Sequence, residues 1–122
     1  MSDFQFPKRL RLLQASDFER VFVARNSAGN SSFTLYGAAN EIGHARLGMT
    51  VSRKVGGAVE RNRWKRLLRE AFRLSRHELP AADFVCVVRG PVPPELPQLI
   101  EAIQMMASRI NRKMGRVRRE SE

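Results

Sequence analysis

The run from Arg53 to Arg73 constrains this chain more than any other stretch, because a glycine-containing entry, Gly56-Gly57, leads into an amphipathic helix with one strongly basic face. From Val59, at about 100° per residue, Trp64, Leu67, Leu68, Ala71 and Leu74 fall in one sector, and Asn62, Lys65, Arg66, Arg69, Arg73 and Arg76 in the opposite one. Any fold that holds this helix must cover the first stripe with an apolar surface and leave the second outside. An ordinary solvated face interleaves acids with bases. Seven cations beside only Glu60 and Glu70 cannot form that lattice, and their mutual repulsion costs stability. Over the roughly 27 Å that the helix spans, the cations can track several phosphates of a folded nucleic acid.

The whole-chain balance points the same way. Lys and Arg number 22 against 12 Asp and Glu, a formal net charge of +10 on 122 residues. That excess implies a polyanionic partner and salt-sensitive binding. The length fits one domain, 1–122, able to bury about two-thirds of its unfolded surface. A short arm at about 1–10 and a basic tail at about 115–122 flank it, with Arg116, Arg118 and Arg119 read as a mobile cationic end. The single Cys86 sits in Asp83-Phe84-Val85-Cys86-Val87-Val88, which reads as a buried strand, so it is expected to be a small core residue in a cytoplasmic protein. Apolar runs are far shorter than the roughly 20 residues of a spanning helix, and no secretory signal is expected at the amino terminus. The expectation is no membrane association.

A coarse pass predicts helix, strands, helix, strand, helix. Ser16-Asp17 can cap a first helix carrying Phe18, Val21 and Phe22, which ends before the turn-like Asn26-Ser27-Ala28-Gly29-Asn30. Alternation predicts strands over 32–39 and 45–53, joined as a hairpin by Asn40-Glu41-Ile42-Gly43-His44. After Gly90-Pro91-Val92-Pro93-Pro94, a last helix presents Leu96, Leu99, Ile100, Ile103, Ala107, Ile110 and Met114 inward, with Met105 and Met106 also read as core. The sum is an α/β (α+β) two-layer sandwich with a mixed sheet of about four strands.

Residue order within the basic helix goes beyond generic basicity. The pattern K-V-G-x-A-V-x-R-N-R-x-K-R-x-x-R-E over residues 54–70 resembles the signature of the bacterial ribonuclease P protein subunit. Phe6-Pro7-Lys8, Arg11-Leu12 and Asp17-Phe18-Glu19-Arg20-Val21-Phe22 resemble that family's first helix region, and Arg46 through Lys54 resembles the strand feeding the signature. The likeness covers about residues 4–90. It departs at Gly57, where Asn or Lys is commoner, and at Trp64, where Ile is commoner. Trp64 lies on the apolar stripe, so the change falls on packing.

The resemblance implies a left-handed crossover between parallel strands through the basic helix, in the fold of a small-subunit ribosomal protein domain. It implies that Arg53, Lys54, Arg61, Asn62, Arg63, Lys65, Arg66 and Arg69 contact a large RNA subunit. It places Phe18, Phe22, Tyr36 and Arg46 in a cleft for the single-stranded 5′ leader of precursor tRNA. From spacing alone, core packing is the default for those three aromatics; Tyr36 alternates away from Phe33 and Leu35, so a stacking trough between helix and strand is the competing expectation. The activity implied is endonucleolytic removal of the leader, with Mg²⁺-dependent hydrolysis performed by the RNA and the protein assisting, and with no obligate protein partner.

The residues themselves offer no catalytic set. His44 and His77 read as surface histidines, and Asp17 and Glu19, two apart on a helix, point to different sides, so no catalytic or metal-binding residue is expected in the protein. Two function classes compete: protein cofactor of a ribonucleoprotein endonuclease, or a stand-alone RNA-binding module with the same sandwich. Arg61-Asn62-Arg63 together with the Phe18-to-Tyr36 aromatics favours the first, and the missing cluster disfavours a protein-only nuclease.

Overall fold

A computed structural model describes residues 7–90 and 92–121, with side chains described through 115. The chain runs α1 (Ala15–Ala24), β1 (Asn26–Gly29), β2 (Phe33–Ala39), β3 (Arg46–Thr50), α2 (Ala58–Ser75), β4 (Ala82–Val88) and α3 (Leu96–Ser121), with short 3-10 turns at Lys8–Leu10, Arg53–Val55 and Arg76–Glu78. The sheet order is β1-β2-β4-β3. β2 is antiparallel to β1 and to β4, whereas β3 is parallel to β4 and reaches it through α2. The result is the mixed four-stranded α+β arrangement that the sequence predicts.

Two local expectations change. The hairpin lies one element earlier than expected: Asn26–Gly29, read as a turn, is an edge strand paired to β2. Arg25, at φ 59, reverses the chain after α1, and the Asn30 side-chain oxygen accepts from the backbone N–H groups of Ser32 and Phe33 at 2.8 and 3.0 Å to close the β1–β2 turn. The small polar residues of β1 carry little strand propensity, so pairing with β2 and packing beneath α3 decide their conformation. β2 and β3, in turn, do not form a hairpin. β4 inserts between them, and the Asn40–His44 loop passes the start of β4. Helix α1 begins at Ala15 rather than behind a Ser16-Asp17 cap, and its N-cap Gln14 makes no side-chain bond.

The two faces of the sheet are covered unequally. Phe33 and Leu35 of β2, Leu47 of β3 and Phe84, Cys86 and Val88 of β4 meet α2 and α3 in the main core. On α2 the buried stripe is Trp64, Leu68, Ala71, Phe72 and Ser75, rotated toward Phe72 and away from Leu74, which is 51% exposed. Phe72 has more apolar area to bury than Leu74, and Ser75 is tolerated because its hydroxyl donates to the Ala71 carbonyl at 2.6 Å. Leu99, Ile103, Met106, Ala107 and Ile110 bury the inner face of α3, whereas Met105, expected in the core, is half exposed. Leu10, from the expected arm, is also buried in this core. Residues 1–6 and the side chains of Arg116, Arg118 and Arg119 lie outside the described residues.

The opposite face meets α1 and the segment leading into it, where Leu12, Val21, Ala38 and Val85 are buried with Phe18, Tyr36 and Val87 against them. Cys86 is a buried free thiol, and burial pushes its ionisation up, which leaves it the inert core residue expected.

Candidate nucleic-acid interface

Helix α2 stands with Trp64 as its keel. The indole is fully buried, its ring meets Phe33 edge-on with centroids 6.3 Å apart, and its Nε1 donates to the Gly90 carbonyl at 2.9 Å. That anchor turns the cations outward. Asn62, Arg63, Arg66 and Arg69 are exposed and Arg61 and Lys65 half-buried, while Arg53 and Lys54 are exposed on the turn that precedes the helix. Gly56, at φ 155, makes the bend between turn and helix in a backbone region that favours glycine. Arg73 is engaged by Glu70, at 2.5 Å, and so differs from the rest of the face. The Arg61 Nε is buried and finds no hydrogen-bond partner among the described residues.

On the α1 face, register orders the residues into rows across three strands. Tyr36, Val85 and Gly48 form one row, and Ala38, Asp83 and Arg46 the next. α1 crosses above the first row: Phe22 meets Tyr36 edge-on at 5.1 Å between centroids, Val21 packs with Val85, and Phe18 lies over Gly48. A Cβ on residue 48 would stand 2.6 Å from the Phe18 ring, so only glycine lets this ring sit so low on the sheet. The three aromatics therefore share one face of the sheet, Phe22 in ring contact with Tyr36 and Phe18 over Gly48. Tyr36 on β2 and Gly48 on β3, beneath Phe18, are two strand spacings apart, about 10 Å, with Val85 of β4 between them.

Phe18 is instead close to the basic helix. One groove of about 230 Å³ is lined by Arg11, Leu12, Leu13, Phe18, Gly48, Lys65 and Arg69, among others. Stacking surface and cations thus meet along the edge of β3. Arg46, which the resemblance groups with the cleft, lies one row further along the same face, where its Nε and Nη2 donate to Asp83 at 2.8 and 2.7 Å. Asp83 is fully buried, and Arg20 and Asn40 also donate to its carboxylate. Burial opposes ionisation of Asp83, but the three donors outweigh it and hold the carboxyl below its ordinary range, while Arg46 is raised in return.

Sequence reading missed Asp83, Arg20, Gly48 and Leu13. Two of them carried signals: a charged residue heading an otherwise apolar strand, and an isolated glycine in an alternating one. His44 lies in the β2–β3 loop and His77 is exposed on the turn after α2. Among the described residues, no group of three or more His, Cys, Asp or Glu could hold a metal ion, and no helix is long and apolar enough to cross a membrane.

A small α+β domain with one cation-studded helix beside a partly open, aromatic-lined sheet face has the electrostatic footprint of the nucleic-acid-binding class of proteins. Comparison with known proteins gives the family. The ribonuclease P family model matches residues 6–111. A ribonuclease P protein component from Escherichia coli is 51% identical over 90 residues, 73% of this chain and 76% of that relative, and one from Shigella boydii matches to the same extent. The solved RNase P protein of Staphylococcus aureus is 34% identical with a TM-score of 0.70, covering 79% of this chain and 90% of that one. That of Thermotoga maritima is 31% identical with a TM-score of 0.66, covering 75% and 88%. The chain belongs to the ribonuclease P protein family, and so is the protein component of an endoribonuclease complex in tRNA processing.

Proposed function

We propose that the outward face of α2, with Arg53 and Lys54, docks on the RNA subunit of ribonuclease P, and that the α1 side of the sheet receives the single-stranded 5′ leader of precursor tRNA. The observation that carries this reading is the shared groove, in which Phe18 offers a ring for stacking and Lys65 and Arg69 offer charge for the backbone. A leader leaving the RNA-bound tRNA passes from helix to sheet without crossing an uncharged gap. Stacking on Phe18 and the Phe22–Tyr36 pair tolerates any base, as a leader of variable sequence requires. Arg46 supports this surface from beneath through Asp83. Hydrolysis is assigned to the RNA with its Mg²⁺, and the protein's contribution is binding, orientation and charge neutralisation, in the cytoplasm. The test mixes protein and precursor tRNA with and without the RNA subunit at physiological Mg²⁺. Leader removal is expected only when RNA is present, and at lower Mg²⁺ with the protein than without it. Metal-dependent leader removal by RNA-free protein would overturn the assignment.

A further inference from the structure

α1 is ten residues long, below the roughly 12–15 at which an isolated helix begins to hold in water, so its position depends on what fastens it to the sheet. The apolar fastening is thin. Val21 is its only fully buried residue, Phe18 is half-buried, and Phe22 and Val23 are 36% and 70% exposed. The polar fastening is specific. Arg20 reaches from α1 to the Asp83 carboxylate and to the Ala39 carbonyl at 3.3 Å. Asp83 is simultaneously gripped by Arg46 of β3 and by Asn40, whose Nδ2 also donates to the His44 carbonyl at 3.1 Å. Asp17, one turn before Arg20, lies 3.8 Å from Arg20 and 4.0 Å from Arg46. Two acids thus face two guanidinium groups. The cluster is locally neutral, and these arginines have little residual attraction for phosphate, unlike the cations of α2.

A buried carboxylate is tolerated only when fully paired, so the positions of its partners are tightly specified. Arg20 is two residues from Phe18 and two from Phe22, so it leaves the helix on a different side from the rings. Fastened on one side at the Ala38–Asp83–Arg46 row, α1 hangs its rings over the adjacent Tyr36–Val85–Gly48 row. We infer that Arg20 and Asp83 are positioning residues for the leader surface: the buried ion cluster sets the height and angle at which α1 carries Phe18 and Phe22, without touching RNA. This rests on the leader-binding reading above.

The test uses holoenzyme reconstituted with the RNA subunit and compares its affinity for precursor tRNA and for mature tRNA, each over a range of salt. Arg20 is 42% exposed at its side chain, so Arg20→Met keeps most of the volume and should fold. Its expected result is an about tenfold loss for precursor tRNA, little change for mature tRNA, and an unchanged salt slope. Arg20→Lys, which keeps the charge on Asp83 but not the fork that also reaches the Ala39 carbonyl, should restore part of the loss. A slope flattened by about 0.7 would make Arg20 a direct phosphate contact and overturn the positioning role. Unchanged leader discrimination, with or without a fall in thermal stability, would overturn it too. Phe18→Leu separates the two levels. Leader discrimination lost in Phe18→Leu but kept in Arg20→Met rejects positioning alone, and discrimination kept in both rejects the leader surface and the positioning role together.

Discussion

Replacing Arg61, Arg63, Lys65 and Arg69 together with glutamine is expected to weaken binding to the RNA subunit by about a thousandfold at physiological salt. The same change should flatten the slope of log affinity against log salt by about 3, since each phosphate contact releases a condensed counterion. Arg63 and Arg69 are exposed and Arg61 and Lys65 half-buried, and among the described residues none of the four is engaged in an ion pair with an acid as Arg73 is. Glutamine keeps the stems that cover the helix surface, so folding should be retained. Asn62→Ala is the internal contrast. An exposed amide can meet base edges or 2′-hydroxyls but releases no counterion, so affinity should fall while the salt slope stays put. Filter binding or fluorescence titration at four or more salt concentrations measures both quantities. Equal slope changes for Asn62→Ala and Lys65→Ala would contradict this division of labour.

Trp64→Ala is expected to cost about 3–5 kcal/mol of stability, lowering the thermal midpoint by about 12–20 °C for a chain of this size. The indole is completely buried against Phe33, and truncation opens a cavity beneath the middle of α2 while leaving the Gly90 carbonyl without its donor. Trp64→Ile, the residue commoner at this position in the family, fills much of the space and should cost less than half as much. The midpoint shift is read by circular dichroism. RNA affinity of the folded fraction should stay near wild type in both variants, because Trp64 points away from the basic face. A loss of affinity in folded Trp64→Ile would show that the indole does more than hold the helix.

How far the sequence disclosed this arrangement depends on the range of the interactions concerned. The outward cations of α2 are legible because a helical period is a local property and six polar or charged residues mark one side of it. The rotation of the buried stripe toward Phe72 is not, since it follows from which side chains Phe33, Phe84 and α3 leave room for. Strand order is non-local in the same way. Residues 40–44 look like a hairpin turn, yet the antiparallel partner of β2 on that side lies more than forty residues on, in β4. β1 has no strand-forming composition and exists because β2 and α3 offer it a place. The aromatics were visible as a shared face, but their division into a Phe22–Tyr36 pair and a Phe18–Gly48 contact depends on β4 lying between β2 and β3. Arg46 was visible as a cation; its commitment to Asp83 was not, because the two are 37 residues apart and meet only through parallel pairing.

The separation of tasks between α2 and the α1 face is tested most directly by the affinity of the Phe18→Leu holoenzyme for precursor tRNA against mature tRNA, with RNA-subunit affinity and thermal stability measured alongside. Leucine retains most of the apolar volume over Gly48 and against Leu12 but removes the ring that a base would stack on. The expected result is precursor tRNA bound about 5- to 150-fold more weakly, corresponding to about 1–3 kcal/mol for one lost stacking partner. Affinity for mature tRNA, affinity for the RNA subunit and the thermal midpoint should all remain close to wild type. Equal losses for both tRNAs, or a fall in stability with precursor binding unchanged, would contradict the account and return Phe18 to a purely structural role.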